Sequence, residues 1–279
     1  MQPSDLVYWI NERERVRKKK EKGLPKPWSE DEIFWHTYFT NVRREDDNVT
    51  KWLEANWRTN HGHLPFYTSS LVLARMFNLP DHLEELKDWW RAPRVAPWMK
   101  KAVARSKERR ELGFPCFNGA YLITTCGVKM DKIDYVYRVV GDTWDLTKAK
   151  LRQKPPMTLA EYHKELTRIN GLGSFLAAQV IADLKNTLGH PLQNARDWFT
   201  WCAPGPGSLR GIKTIDGYSN TSEGEFLAAA TALYKSVESD LECGPIHMQD
   251  FQNCLCEFSK YVRVSNGGRS KRGYPGGPT

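Results

Sequence analysis

The sequence predicts a mostly α protein, and three observations predict it. Apolar residues recur at three- and four-residue spacings along most of the 279-residue chain, while few runs alternate as strands do. Helix punctuation is frequent, with Ser, Thr or Asp before such stretches and Gly or Pro after them. The run Arg168–Lys185, R-I-N-G-L-G-S-F-L-A-A-Q-V-I-A-D-L-K, places Gly171 and Gly173 where one helix must stop and another start.

Asp5 to Lys22 reads as the first helix, on the pattern Leu6, Trp9, Ile10, Val16, stopped by Gly23 and Pro25. Its K-K-K-E-K end is either a solvated helix terminus or a sequence-blind phosphate contact. Ser29 is read as the N-cap of a second helix with Ile33, Phe34 and Tyr38 inward. Phe39–Leu53 continues a helical pattern through Phe39, Val42, Val49, Trp52 and Leu53, interrupted by five charged residues, Arg43, Arg44, Glu45, Asp46 and Asp47. Charge beside so much apolar surface must be paired or put to use. Either the arginines pair with Glu45, Asp46 or Asp47, or they form a fork for phosphate oxygens beside a carboxylate base.

Asn56–His63 is a polar connection whose His61 and His63 are read as a surface loop in preference to a metal site. Leu71–Phe77 is helical and ends at Asn78 and Pro80, and Asp81 caps a helix from His82 to Arg91. The basic stretch Arg94–Arg110, with Lys100 and Lys101, either lies along a nucleic-acid strand near Trp98 or solubilises a helix. Within Phe114–Val128, Ala120–Cys126 is expected to be a buried segment, a helix in preference to a strand. Asp131–Val140 and Leu146–Leu151 read as two short helices. The prolines at 155 and 156 mark the best internal boundary, near 153–158, in an otherwise single domain spanning 1–264. Thr158 caps Leu159–Ile169, the first arm of the hairpin.

In the second arm Ser174 is read as the cap, and Leu176, Val180 and Leu184 form the core stripe. Ala177, Ala178 and Ala182 keep the helix slim, and Gln179, Asp183 and Asn186 lie opposite the stripe. A helix start of this kind attracts phosphate, so Asn170, Gly171, Gly173 and Ser174 are candidate backbone-binding residues of a helix-hairpin-helix, with a ligand-free helix turn as the alternative. Gly205, Gly207 and Ser208 with Arg210 form either an anion nest or a plain turn. Glu223–Leu241 is amphipathic core. Met248–Val262 turns Phe251, Leu255 and Phe258 inward, leaving Asp250, Gln252, Asn253, Glu257 and Lys260 for polar work. Residues 265–279 read as a mobile basic tail.

The net charge of +8 favours a polyanionic partner. No apolar run is long enough to cross a bilayer and Met1–Tyr8 has no signal-peptide pattern, so a cytoplasmic protein without membrane partners is expected. Six scattered cysteines make no disulfide framework. Cys243, His247, Cys254 and Cys256 fit no common zinc spacing, and the four-cysteine iron–sulfur pattern is absent; no metal and no cofactor are called for. There is no G-x-x-x-x-G-K-[ST] loop.

Three runs taken together, N-V-R-R-E-D-D-N-V-T-K-W at 41–52, N-G-L-G-S-F-L-A-A-Q-V-I-A-D-L at 170–184 with G-P-G-S-L-R-G at 205–211, and D-F-Q-N-C-L-C-E-F-S-K-Y at 250–261, resemble one family. It is the glycosylase-like helical family of DNA thymine hypermodification, the α-glutamyl/putrescinyl-thymine pyrophosphorylases, which includes amino acid:DNA transferases and the helical domain linked to 5-hydroxymethyluracil DNA kinases. The resemblance spans Trp28 to Tyr261. It implies a DNA-glycosylase-like fold acting on double-stranded DNA that carries a modified thymine, in an infected host cell if phage-encoded. An amine or amino acid would replace the (pyro)phosphate of phosphorylated 5-hydroxymethyluracil, and a kinase partner would supply the P-loop this chain lacks. A diphosphate leaving group calls for Arg43, Arg44, Arg210 and Ser208. An ammonium nucleophile calls for a base, with Glu45, Asp46, Asp47, Asp183 and Asp197 as candidates. Asn41, Gln179, Asp250, Gln252 and Asn253 would line the pocket of a flipped base. Asp197 lies about where helix-hairpin-helix glycosylases carry a catalytic aspartate, whereas Ser174 and Phe175 stand where their bifunctional members place a lysine. A non-catalytic DNA-binding companion of a kinase and a monofunctional glycosylase are the two alternatives.

Overall fold

The computed structural model describes residues 1–58, 66–87, 95–119, 123–150 and 158–269. Among them every regular element is helical. None of these helices is long and apolar enough to cross a membrane. They fall into two compact units, one built from Met1–Asp47 and the described residues from Phe199 on, the other from Asn48–Trp198.

The first unit is organised on α12 (Met248–Ser265), against which α1 (Pro3–Glu21), α2 (Ile33–His36), α10 (Pro206–Lys213) and α11 (Phe226–Val237) pack. Its core joins Leu6, Trp9 and Ile10 of α1 to Phe226, Leu233 and Val237 of α11 and to Phe251, Leu255 and Phe258, the inward stripe expected of α12. The tightest packing is α10 on α12, and two glycines set it. A Cβ on Gly207 would stand 2.3 Å from Cys256 Sγ, and one on Gly211 would stand 1.9 Å from the Leu255 carbonyl oxygen. Helix axes this close leave no room for a side chain at either position.

The second unit is built around α4 (Tyr67–Phe77), every residue of which is buried, with α7 (Lys132–Lys150) and α9 (Ser174–Lys185) packed on it. A helix covered on all sides must satisfy its own polar groups. Thr68 shares a 2.6 Å hydrogen bond with Tyr162, Ser69 and Ser70 donate to the carbonyls of Phe66 and Tyr67, and Arg75 pairs with Asp183. Asn78 closes α4 in the left-handed conformation, φ +49°, as a C-cap. Around this centre lie α3 (Asn48–Asn56), α5 (Pro80–Glu84), α6 (Val95–Glu111) and α8 (Leu159–Leu166).

The helices differ from the sequence reading at several points. The segment Phe39–Arg43 is not helical; only a short 3₁₀ turn, Arg44–Asp46, precedes α3. Side-chain bonds from α1 and α12 to its backbone replace the helix its apolar spacing suggested. Ser29 caps nothing regular: it accepts from Asp31 N–H in a turn, and α2 begins four residues later. The two short helices expected at 131–151 are one, because Gly141 is tolerated inside α7, where it faces Met99. Residues 123–125 are not helical, and Cys126 turns the chain with φ +50°, while 120–122 lie outside the described residues. The N-cap of α9 is Gly173, with Ser174 as its first turn. Gln179 and Asp183, read as the polar face of that helix, are 7% and 0% exposed because α9 is packed on both sides. The boundary at 153–157, His61, His63 and the tail from 270 lie outside the described residues.

Candidate functional site

In the first unit the runs 41–47, 205–211 and 250–261 converge on α12. Phe39–Asn41 is clamped from both sides. Arg13 of α1, nine-tenths buried, donates through Nε to the Thr40 carbonyl at 2.9 Å and through Nη2 to the Phe39 carbonyl at 3.2 Å and to Asn41 Oδ1 at 2.5 Å. From α12, Glu257 Oε2 accepts Thr40 N–H at 3.0 Å and Asn253 Nδ2 donates to Thr40 Oγ1 at 2.9 Å. Asn41 then folds the next residues over, donating Nδ2 to the Asp46 carbonyl and its N–H to Asp47 Oδ1.

This clamp presents Arg43 and Arg44. Asp250, 2% exposed, accepts Arg44 N–H on Oδ1 at 3.0 Å and faces His247 Nε2 with Oδ2 at 3.1 Å, while the other ring nitrogen of His247 caps α12. Asp46 faces Arg17 at 3.4 Å. Burial opposes ionisation of Glu14, yet the hydrogen bonds and charge of Arg17, with Lys18 and Arg43 beyond, hold its carboxyl below the ordinary range. Arg43 donates Nη2 to the carbonyls of Cys243 at 2.5 Å and Pro245 at 3.4 Å. The side chain of Arg44, 91% buried, forms neither hydrogen bond nor ion pair among the described residues, and its Nε is wholly buried without an acceptor. Neither arginine pairs with Glu45, Asp46 or Asp47, so structural pairing within this run does not explain them. A buried, unneutralised guanidinium is costly and is the natural receptor of a small oxyanion.

Ser208 is wholly buried; its hydroxyl donates to the Gly205 carbonyl and receives Gly205 N–H and Gln252 Nε2. These bonds and the close approach of α12 account for Gly205, Gly207, Ser208 and Gln252 as packing. Arg210 stays exposed on α10.

In the second unit the hairpin is α8, a turn at 167–173, and α9. Gly171 takes φ +109°, and any Cβ there would stand 2.6 Å from Val139 Cγ2 and 2.8 Å from the Tyr135 hydroxyl, so the turn is seated on α7. Asn170 and Gly173 are exposed, and Ser174 Oγ lies 3.2 Å from His163 Nε2. Arg138, which the sequence reading passed over, stacks 4.6 Å from the Tyr135 ring centre and reaches the Asn170 carbonyl at 3.4 Å. It brings a cation to a turn that has none of its own free, Arg168 being paired with Glu165. Lys100 and Lys101 are exposed on α6, whereas Arg109 of the same basic stretch is buried against Glu85.

Two candidate bases are committed elsewhere. Asp197 accepts Leu159 N–H at 2.7 Å and Ala160 N–H at 3.1 Å, completing the cap that Thr158 and Glu161 begin on α8. Asp183 is gripped by Arg75 through two 2.6 Å bonds, with Arg58 3.6 Å away. Gln179 is buried beside it on α9. Arg58 and Arg75 carry no helical or motif signal of their own. Only the need of a buried Asp183 for a counterion points to them.

Comparison with known proteins agrees with the resemblance carried by the three runs. A family profile described as 5-hmdU DNA kinase, helical domain, matches residues 3–270. The 5-hmdU DNA kinase of Bacillus phage SP10 is 24% identical over 296 residues, an alignment covering 96% of this chain and 46% of that protein. The chain therefore spans about half the length of this curated relative. No solved structure matches.

Proposed function

The chain belongs to the 5-hmdU DNA kinase helical-domain family, and from that premise we propose that it acts in thymine hypermodification, on DNA whose 5-hydroxymethyluracil has been phosphorylated. The observation that carries the reading is Arg44, a buried guanidinium with no acceptor among the described residues, where the runs 41–47 and 250–261 meet. Duplex backbone is a wide, rigid rod and is served by surface groups, here the exposed Lys100 and Lys101 and the turn at 167–173 with the half-buried Arg138. A guanidinium nine-tenths buried is reached by a small group swung out of the duplex, such as a phosphorylated, flipped base. Arg44, with Arg43 beside it in sequence, would take up the charge that builds on a departing diphosphate. The reaction is replacement: an amine nitrogen forms a bond to the 5-methylene carbon, the carbon–oxygen bond breaks, and diphosphate leaves with the electron pair. The proton lost from nitrogen passes to a carboxylate, and we assign Glu45 because it shares the 3₁₀ turn with Arg44.

A second reading is favoured by the commitment of Asp183 and Asp197 elsewhere. Here the chain binds phosphorylated DNA without transforming it and serves as the companion of a separate kinase chain. One experiment separates the readings. The protein is incubated with DNA containing diphosphorylated 5-hydroxymethyluracil and a mixture of amines and amino acids, and the nucleosides are analysed by mass spectrometry. An amine adduct is expected. Binding without product supports the companion, and release of free base, abolished in Asp197→Asn, supports excision instead. Arg44→Ala is expected to weaken binding of phosphorylated over unmodified DNA by about 10- to 100-fold, the worth of one or two charge-assisted hydrogen bonds. Equal binding of both DNAs by the wild-type protein would remove the basis of both phosphate-dependent readings.

A further inference from the structure

Ahead of α7 in the second unit, a thiol is brought to the neighbourhood of the hairpin. Thr125–Val128 is a tight turn closed by a 3.0 Å bond from Val128 N–H to the Thr125 carbonyl, with Cys126 at φ +50° and Gly127 at φ +80°. The turn leaves Cys126 exposed, with Thr124 Oγ1 3.8 Å from its sulfur. Two groups of α7 act on the same sulfur, the Tyr135 hydroxyl at close range and the Arg138 guanidinium through its charge.

Both α7 groups call for an anion. Tyr135 is wholly buried, and its hydroxyl has no oxygen or nitrogen to bond among the described residues. Arg138, stacked on that ring, has a buried Nε that is likewise without an acceptor there. A phenol O–H and a guanidinium are both satisfied by a negative charge, and a thiol supplies one by losing its proton. The same Tyr135 hydroxyl lies 2.8 Å from where a Gly171 Cβ would stand, so the thiol and the hairpin turn share it as a neighbour. The other cysteines have no such surroundings. Cys202 is buried, and burial pushes the thiols of Cys116, Cys243 and Cys254 up and that of Cys256 to about 11. Tyr135 above all, then Thr124, with Arg138 in support, hold Cys126 below the ordinary thiol range.

We propose that Cys126 is a modification site at which a small disulfide is captured as a mixed disulfide, with Tyr135 and Arg138 as the residues that position its thiolate. The thiolate attacks one sulfur of the disulfide, a new S–S bond forms as the old one breaks, and the departing half leaves with the electron pair as a thiolate. That thiolate takes up the proton Cys126 gave to solvent, and no oxidant besides the disulfide is consumed. The site depends neither on the reading of Arg44 nor on any DNA contact, so either can fail without the other. Its adduct stands beside the turn at 167–173.

The test treats the full chain, free of reductant, with equimolar oxidised glutathione and maps the adducts by mass spectrometry of acid-quenched digests. Cys126 is expected to take the mixed disulfide at least about tenfold faster than any other cysteine. Alkylation by iodoacetamide, followed across neutral pH, should give Cys126 a midpoint below the one it shows in the denatured chain. Tyr135→Phe and Arg138→Met should each raise that midpoint and slow disulfide capture at neutral pH by about threefold, the smaller thiolate fraction being partly offset by the greater nucleophilicity of a more basic sulfur. Cys254, wholly buried, stays unreacted unless a variant unfolds, so folding is read in the same digest. Capture at Cys126 no faster than at Cys243, a midpoint equal to that of the denatured chain, or a midpoint indifferent to both substitutions would each overturn the proposal.

Discussion

The two units bury arginine in opposite ways. In the second, Arg75 and Arg58 are almost sealed from solvent and are held by Asp183, with Thr50 Oγ1 at 3.1 Å and Asn78 Oδ1 at 3.3 Å completing the shell of Arg75. In the first, Arg44 is buried nearly as well, and the nearest designed contact, Asp250, takes its backbone N–H instead of its side chain. Burial of charge therefore carries no functional message by itself. The partnered arginines tie α4 to the hairpin helix and are explained by the fold. The other has no such partner among the described residues, and its buried Nε is what the proposed phosphate ligand would account for. The carboxylates differ less: those of the second unit expected to act as bases are spent on an ion pair and a helix cap, and in the 41–47 run Asp46 faces Arg17 and Asp47 accepts Asn41 N–H.

The largest effect that could break this contrast is at Asp183. Asp183→Asn leaves two guanidinium groups in the core without their carboxylate, and removal of one partner of a buried pair costs about 3–5 kcal/mol. Urea denaturation should show that loss, and DNA binding should fall only with the folded fraction. A variant that keeps wild-type stability but loses all chemistry would make Asp183 a catalytic group and Arg75 its positioning residue, reversing the assignment of the two units.

A smaller effect sharpens the picture of the second unit as a core of groups held paired or neutral. Burial depresses the pKa of His190 to about 3, and it lowers those of His82 and His163 as well, though hydrogen bonds to backbone carbonyls oppose the fall at both. The folded value of His190 lies below that of an unfolded histidine, about 6.5. Its contribution is thus fully present above pH 6.5 and is lost as pH falls from there toward 3, because the unfolded chain takes up the proton first. Between those limits stability should fall by up to about 1.4 kcal/mol per pH unit for each such histidine. His190→Gln, which can still accept Leu192 N–H, should flatten the slope in urea titrations at pH 4.5, 5.5 and 6.5. An unchanged slope would mean that the ring is protonated in the folded protein.

What could be seen in the sequence was local. Thr158 announces a helix start, Gly171 announces a left-handed turn, and Phe251, Leu255 and Phe258 mark the inner face of α12, and each is so in the structure. What could not be seen depends on partners far along the chain. Asp183 meets Arg75 from 108 residues away, and Asp197 serves the start of a helix 38 residues earlier. Phe39–Asn41 looked helical because its apolar spacing fits a helix, but Arg13, Asn253 and Glu257 hold it out of one, and no neighbouring residue records that. At the candidate site the sequence put Arg43 and Arg44 forward as residues to explain. It left open whether the acids beside them were their partners, since that depends on which way each side chain leaves a 3₁₀ turn.

The smallest stability effect is expected where the functional effect is largest. Arg44→Met keeps the apolar stem of the side chain and removes a charge that has no ion-pair partner among the described residues. Such a change should leave stability the same or raise it by about 1 kcal/mol, as replacing buried charge with apolar bulk commonly does. Urea midpoints of Arg44→Met and Asp183→Asn, measured together, place the two kinds of arginine on one scale. If Arg44→Met destabilises the protein as severely as Asp183→Asn, its guanidinium is supporting structure after all, and the difference between the units disappears. If it is neutral or stabilising while selectivity for phosphorylated DNA is lost, the cost of burying an unpaired cation has been retained for the ligand it receives.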